Sequence, residues 1–298
     1  MNMIGCSIKA YKRLRGDFMN NEAILNYYVL NGSLCSVSND EGFTNASNPL
    51  IYEVIRVIDG VALFMEDHIL RMRKSAEILG YTIDKKDEEI QKEIYQLIDA
   101  NKTNNMNIKL LCYNLDKNKQ TFMAYFIKSS YPNEEIYRNG IHTILFNSER
   151  ENPNAKVVNT DFRQRVNEEI KRQNAYEALL VNELGNITEG SRSNLFFVKD
   201  DKVYTAPSGG VLLGITRNEI MKVCKEQGIE VVEKNINVDE LEGFDGAFMS
   251  GTSVNVLPIR TIGNIEYDSV NNKTINTISE GYLYSVSKYI DKKKNCVK

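Results

Sequence analysis

The stretch ALLVNELGNITEGSRSNLFFV, residues 178–198, sets two apolar runs on either side of a polar, glycine-bearing insert. Ala178–Asn182 and Leu195–Val198 read as strands of a sheet interior, because short apolar runs bounded by Asn, Gly and Ser fit that environment. The insert is longer than a tight hairpin needs. Its core, Ile187-Thr188-Glu189-Gly190-Ser191-Arg192-Ser193-Asn194, places a carboxylate ahead of glycine and small hydroxyl residues. Two readings fit this segment equally: a long polar hairpin loop, or the lip of a site where Glu189 addresses a ligand cation.

Strand and helix patterns continue outward in both directions. Toward the C-terminus, His142–Asn147, Val203–Thr205, Ile229–Glu233 and Ala247–Ser250 have strand character, with helices predicted at about Phe162–Gln173, Arg217–Gln227 and Ser279–Lys292. Toward the N-terminus, Tyr27-Tyr28-Val29-Leu30 meets Asn31-Gly32, a hairpin dipeptide that tolerates positive φ. Ile51–Val57 and Val61–Phe64 read as strands around the Asp59-Gly60 turn. A helix is predicted from about Asp67, with Ile69, Leu70, Met72, Ala76 and Leu79 at helical spacing and Gly80 as its stop. A second covers Glu88–Ala100 with Ile90, Ile94, Leu97 and Ile98 on one face, and Ile108–Tyr113 and Phe122–Ile127 supply further strands. This pattern is α/β in the broad sense and α+β in detail. The polar stretch Ser129–Gly140 marks a boundary, giving an N-terminal extension over 1–26, a small α+β domain over 27–132 and a larger β-rich domain over 139–298.

Charge and composition narrow the chemistry. A net charge of −3 over 298 residues provides no basic field for nucleic acid or an anionic membrane. No apolar run approaches a membrane span, and Lys9, Lys12, Arg13 and Arg15 are followed by no apolar stretch of the secretory kind. Cys6, Cys35, Cys112, Cys224 and Cys296 are scattered singly, which points to a reducing compartment, the cytoplasm, and to no metal site. His68 and His142 stand far apart, so a Ser-His-Asp hydrolase or an H-E-x-x-H metalloenzyme is poorly supported.

Two further segments carry possible chemistry. Gly214-Ile215-Thr216-Arg217-Asn218-Glu219 opens a helix, and Thr216 and Glu219 have capping-box spacing. The plain reading is a helix cap; the functional one is a phosphate held by backbone N–H groups. Met249-Ser250-Gly251-Thr252-Ser253-Val254 ends an apolar strand in small residues, either a simple turn or a second phosphate nest. Two phosphate-type loops and a carboxylate loop together suggest a phosphorylated ligand with a cationic ring. Pyridoxal 5′-phosphate is such a ligand, and it requires a lysine.

At this point the chain resembles the class IV aminotransferases, the fold-type IV group that includes branched-chain and D-amino acid aminotransferases and aminodeoxychorismate lyase. The resemblance runs from about Tyr28 to the C-terminus. Tyr52-Glu53-Val54-Ile55-Arg56 is similar to the family's F-E-x-x-R strand, and Asp67-His68-Ile69-Leu70-Arg71 with Ser75 to its D-H-x-x-R-x-x-x-S helix. Lys156-Val157-Val158-Asn159 resembles the K-x-x-N of the Schiff-base lysine. Tyr176 to Leu180 through Glu189 to Phe196 matches the longest signature, and Leu213-Gly214-Ile215-Thr216-Arg217 and Ser250-Gly251-Thr252-Ser253 complete an ordered set.

The resemblance implies a two-domain fold, pyridoxal 5′-phosphate as cofactor, and a homodimer. It implies that Lys156 is the catalytic lysine that binds the cofactor covalently and carries the proton. Glu189 would pair with the pyridine nitrogen. Arg71, the amides of Ile215 and Thr216 and the hydroxyl of Thr252 would hold the phosphate, with Leu213 against the ring and Ser193, Asn194 and Ser253 completing the cofactor site. His68 would be a hydrogen-bonding or packing residue rather than a base. The implied reaction moves an amino group from an α-amino acid, branched-chain or D-type, to a 2-oxo acid. An aminodeoxychorismate lyase and a cofactor-binding paralogue with little turnover are the alternatives.

The chain departs from the family pattern on the substrate side. Ser47-Asn48 stand where an aromatic-glycine pair is usual. Lys109 lies near a position where some branched-chain enzymes place an arginine for the substrate carboxylate; lysine keeps the charge but loses the bidentate fork. Thr160-Asp161-Phe162 supplies no tyrosine of the branched-chain kind.

Overall fold

The computed structural model describes residues 22–39, 41–44, 46, 49–117, 119–150 and 152–295. The bulk of the N-terminal extension, Ser47-Asn48, Cys6 and Cys296 lie outside these residues. The chain divides into two units that are not contiguous in sequence. The first runs through Ser129 and includes Ala155–Val158 and the chain from Lys293; the second comprises Ser130–Asn154 and Asn159–Lys292.

The first unit is built on an antiparallel sheet of β1 (Tyr27–Leu30), β2 (Ser33–Ser36), β3 (Ile51–Ile58), β4 (Val61–Ala62), β5 (Asn105–Tyr113) and β6 (Thr121–Ile127), in the order β2-β1-β6-β5-β3-β4. Both hairpin dipeptides turn as expected: Asn31 and Gly32 have φ of 49° and 89°, Asp59 and Gly60 of 52° and 76°. Strand β3 alternates strictly, so Ile51, Glu53, Ile55 and Val57 face one side and Tyr52, Val54 and Arg56 the other. The first side packs on α2 (Met65–Ile78) and α3 (Asp87–Asn101) through Met65, Ile69, Met72, Ile90, Ile94 and Leu97. On the second side Tyr28, Leu111, Tyr113, Met123 and Tyr125 gather around Phe43 of the single-turn helix α1 (Glu41–Thr44). A Cβ on Gly42 would lie 2.8 Å from Met123 Sδ and 2.9 Å from the Tyr28 ring, so only glycine lets α1 sit this close.

Two local expectations are corrected here. The strand expected over Val61–Phe64 stops at Ala62, because Phe64 turns to φ 48° and α2 begins at Met65, not Asp67. Leu70, expected on the buried stripe, is 51% exposed; Ile69 and Met72 define the stripe.

The second unit is a mixed sheet, in the order β12-β11-β10-β14-β15-β7-β8-β9-β13, with β16 on β15. Its strands are β7 (Ile141–Asn147), β8 (Glu177–Val181), β9 (Asn186–Gly190), β10 (Asn194–Lys199), β11 (Lys202–Thr205), β12 (Val231–Glu233), β13 (Ile236–Asn237), β14 (Gly246–Gly251), β15 (Asn255–Ile262) and β16 (Ile265–Glu266). Its helices are α4 (Glu134–Asn139), α5 (Thr160–Arg172), α6 (Ile215–Glu226) and, up to Lys292, α7 (Lys273–Asn295). Every residue of β8 and the first five of both β10 and β14 are buried, the pattern of central strands covered on both faces. Phe196 and Phe248 stack at 4.8 Å across the β10–β14 pair. Sequence patterns do not pick out β9, β13, β15 or β16. Among the described residues, no helix is long and apolar enough to cross a membrane, and no group of side chains has the makeup of a metal site.

Candidate active site

In the first unit the candidate residues converge on the edge of β3. The segment Ala155–Val158 lies along that edge: Val157 bridges Ile51, Tyr52 N–H donates to the Lys156 carbonyl (3.1 Å), and Val158 N–H donates to the Leu50 carbonyl (3.2 Å). From the helix side, Ser75 Oγ accepts the Lys156 N–H at 3.1 Å and donates to the Arg71 carbonyl at 3.0 Å. Both backbone groups of Lys156 are therefore held, which fixes the direction in which its side chain leaves the chain. Its ammonium lies 4.7 Å from the centre of the Tyr52 ring.

Arg71 and His68, one helical turn apart on α2, both meet Glu53 of β3. Arg71 makes a two-pronged contact, Nε to Glu53 Oε1 at 2.7 Å and Nη2 to Oε2 at 2.6 Å. His68 Nδ1 is 2.8 Å from Glu53 Oε2. Glu53 is wholly buried. Burial raises its pKa, but the charge and hydrogen bond of Arg71, with His68, outweigh that and hold the carboxyl well below the usual range. Burial lowers the pKa of His68 from 6.5 despite Glu53, and the charges of Arg71 and Lys156 add to the lowering. His68 is thus a buried hydrogen-bonding residue, as the sequence reading has it.

In the second unit Glu189 lies at 3% exposure on β9. Its Oε2 accepts the Leu212 N–H at 3.2 Å and its Oε1 is 3.1 Å from Arg150 Nε. Arg150 also donates from Nη2 to the Ser191 carbonyl at 2.8 Å, tying the carboxylate to the loop that follows it. That loop is shaped by Glu177, which accepts from Ser191 N–H (3.1 Å), Ser191 Oγ and Ser193 Oγ (3.1 Å). A Cβ at Gly190 would lie 2.0 Å from Ser193 Oγ, so a side chain there would displace the Ser193 hydroxyl from Glu177.

Asn194 reaches from β10 to the segment before α6, donating from Nδ2 to the Leu212 carbonyl at 2.8 Å. A Cβ on Gly214 would lie 2.2 Å from Asn194 Oδ1, so glycine permits this approach. Helix α6 starts at Ile215 with Gly214 as its cap residue and no side chain capping it. The expected Thr216–Glu219 capping box is therefore not formed: Thr216 is already the second helical residue, and Glu219 pairs with Lys222 and Ser285. Thr252 and Ser253 occupy the turn of the β14–β15 hairpin, closed by Val254 N–H to the Gly251 carbonyl at 3.1 Å. Beside them Ser250 Oγ is buried without a hydrogen-bond partner among the described residues.

Comparison with known proteins gives this arrangement its family. The amino-transferase class IV family matches residues 50–262. The chain belongs to the class IV aminotransferases. It is 27% identical to D-alanine aminotransferase of Bacillus licheniformis over 81% of this chain and 88% of that protein. It is 29% identical to the branched-chain-amino-acid aminotransferase of Escherichia coli K12 over 72% of this chain and 77% of that protein. Among solved structures it is similar to a T.th. branched-chain amino acid aminotransferase with pyridoxamine 5′-phosphate, with a TM-score of 0.80 and 25% identity over 90% of this chain and 96% of that chain.

The protein is thus a transferase, and the cofactor of this class IV family is pyridoxal 5′-phosphate. The residues present fit that group. The uncapped start of α6 offers backbone donors to an anion, and the orphaned Ser250 hydroxyl lies beside Thr252. Arg150 and Glu177, which contact Glu189 and the loop after it, are not singled out by the sequence as separate contributors. Arg150 sits in Ser148-Glu149-Arg150-Glu151-Asn152, which reads only as a charged loop. Glu177 is visible as part of a signature, but nothing in the pattern announces a carboxylate with serine donors.

Proposed function

We propose that this chain transfers an amino group from an α-amino acid of the branched-chain or D-amino acid type to a 2-oxo acid, using pyridoxal 5′-phosphate. The observation that carries the reading is the anchoring of Lys156, whose backbone is held on both sides while its ammonium stands over Tyr52. When bound, the cofactor supplies an electrophilic carbon for amines and a ring that draws electrons from the substrate Cα. Lys156 would hold the group, and its side-chain amine would take and return the substrate Cα proton. Arg71, held by Glu53, would bind the phosphate, as would the Ile215 and Thr216 amides and the Thr252 hydroxyl. Glu189 would pair with the ring nitrogen, and Leu213 would pack on the ring. Ser193, Asn194 and Ser253 shape the surrounding loops. Lys109 receives the substrate carboxylate.

Because Arg150 fixes Glu189, Arg150→Gln is expected to weaken cofactor binding by about 10- to 100-fold, the worth of one charge-assisted contact. Equilibrium dialysis measures it, and an unchanged affinity removes Arg150 from the site.

The division into a small domain over 27–132 and a cofactor-binding domain over 139–298 belongs to the same reading. So do the cytoplasmic setting and the homodimer. The scattered cysteines support the first: Cys35, Cys112 and Cys224 are free, and burial pushes the Cys112 thiol up to about 12. Exposed Ile24, Tyr27 and Leu34 at the β2 side of the sheet support the second. Single-turnover spectroscopy with a panel of L- and D-amino acids tests the function. Conversion to the pyridoxamine form is expected. Pyruvate release from aminodeoxychorismate would favour a lyase instead, and silence across the panel a cofactor binder with little turnover.

A further inference from the structure

Lys109 does not stand open to a substrate. It lies in the middle of β5, opposite Val54 on one side and Tyr125 on the other, and is 8% exposed. An ammonium buried to that degree needs an anion, because desolvation otherwise costs more than the fold recovers elsewhere. The anion is Glu22, which comes from the segment before β1 and not from the sheet. Glu22 Oε2 receives both the Lys109 ammonium and the Tyr125 hydroxyl, the latter at 3.0 Å. Burial, reinforced by the Glu22 charge, keeps the Tyr125 phenol well above 10, so Tyr125 is a neutral donor at ordinary pH. Lys109 Nζ lies 5.6 Å from the centre of the Tyr52 ring, the same ring that Lys156 Nζ approaches at 4.7 Å. Glu22 therefore sits on the tyrosine-lined face where the reacting lysine projects.

A carboxylate held by one ammonium and one phenol is also what the α-carboxylate of an amino acid requires. We propose that Glu22 is a specificity-determining residue: an internal carboxylate that fills the substrate-carboxylate position on Lys109 and Tyr125, so that an incoming acid must displace it. This rests on the reading of Lys109 as the carboxylate-binding residue. The local backbone suits such an exchange. Ala23 bridges Ile127, and Ile24 N–H donates to the Phe126 carbonyl at 3.2 Å, so the chain stays anchored while the Glu22 side chain, 28% exposed, rotates outward. Acids then bind more weakly than Lys109 alone would allow, and the selectivity of the site shifts away from substrates whose carboxylate cannot outcompete Glu22.

The test is Glu22→Gln in the full chain. The amide oxygen still accepts from Tyr125, so the segment keeps its place, but the charge that competes for Lys109 is gone. Without cofactor, calorimetry with butyrate as the probe should show about tenfold tighter binding to E22Q than to the native chain, while n-butylamine gains nothing. With cofactor, KM for a reactive amino acid should fall by about the same factor, the change lying in KM and not in kcat. Glu22→Asp should return both toward native values. Butyrate binding that is unchanged or weaker in E22Q overturns the proposal and leaves Glu22 as a structural counter-ion. Failure of the aminotransferase reading would look different: no amino acid would change the cofactor spectrum of either form, while the butyrate titration would still report on Glu22.

Discussion

Lys156→Ala is expected to lower turnover by at least about 10⁴-fold, since covalent attachment and proton transfer at Cα are lost together. The melting temperature should move by no more than ~2 °C, because a partly exposed side chain contributes little to stability. The contacts that seat this segment are made by backbone, the Lys156 N–H to Ser75 and the Lys156 carbonyl from Tyr52, and alanine retains both. Rate assays paired with thermal unfolding separate the two effects. A variant that melts natively yet keeps more than about a hundredth of the native rate would remove Lys156 from the chemistry.

Glu53→Gln acts in the opposite way, on the fold first. Glu53 is fully buried and bonded to both Arg71 and His68, so the glutamine deprives the buried Arg71 guanidinium of this carboxylate charge. Removing one partner of such a pair costs about 3–5 kcal/mol, far more than the ~0–1 kcal/mol of the exposed Arg138–Glu134 pair. Urea unfolding of the native chain and E53Q measures the difference. The same variant should flatten the acid limb of the stability curve. The folded pKa of Glu53 lies below its ordinary 4.5, so its contribution is full above 4.5 and fades as pH falls beneath that value. His68 titrates below its ordinary 6.5 when folded, so an unfolded chain takes up that proton first and stability begins to fall below pH 6.5. The native chain should therefore weaken from about pH 6.5 downward, more steeply below 4.5. E53Q should lose the steeper part.

Much of this architecture is legible in the residues. Asn31-Gly32 and Asp59-Gly60 announce their hairpins because those residue types tolerate the positive φ that the turns adopt. Ile90, Ile94, Leu97 and Ile98 announce α3 through their spacing, and all four are buried. Other elements are hidden for definable reasons. Strand β9 carries only Ile187 as an apolar marker, and Glu189, which reads as a loop residue, is buried because Arg150 and the Leu212 amide satisfy it. Strand β15 contains Pro258, which argues against a strand, yet its parallel pairing to β7 begins only at Ile259. The start of α6 reads two residues too far inward, since Thr216 has capping-box chemistry while Gly214 holds the cap position.

The candidate site is legible to a similar depth. Lys156, Arg71 and Glu189 are proposed from ordered motifs alone. Their partners are not. Glu53, Arg150 and Glu22 stand 18, 39 and 87 residues from Arg71, Glu189 and Lys109, and only the folded sheet brings each pair together. Lys109 is the sharpest instance: the sequence marks it as a cation for substrate, and the fold supplies it with a carboxylate of its own.

Lys156 is proposed to hold the cofactor of this class IV aminotransferase. Borohydride reduction of the protein loaded with pyridoxal 5′-phosphate, followed by digestion and mass spectrometry, tests it most directly. The phosphopyridoxyl group should be found on Lys156, at close to one per chain, and should disappear when an amino acid substrate is added before reduction. A label spread over surface lysines, or one fixed on another residue while Lys156 stays unmodified, would contradict the account.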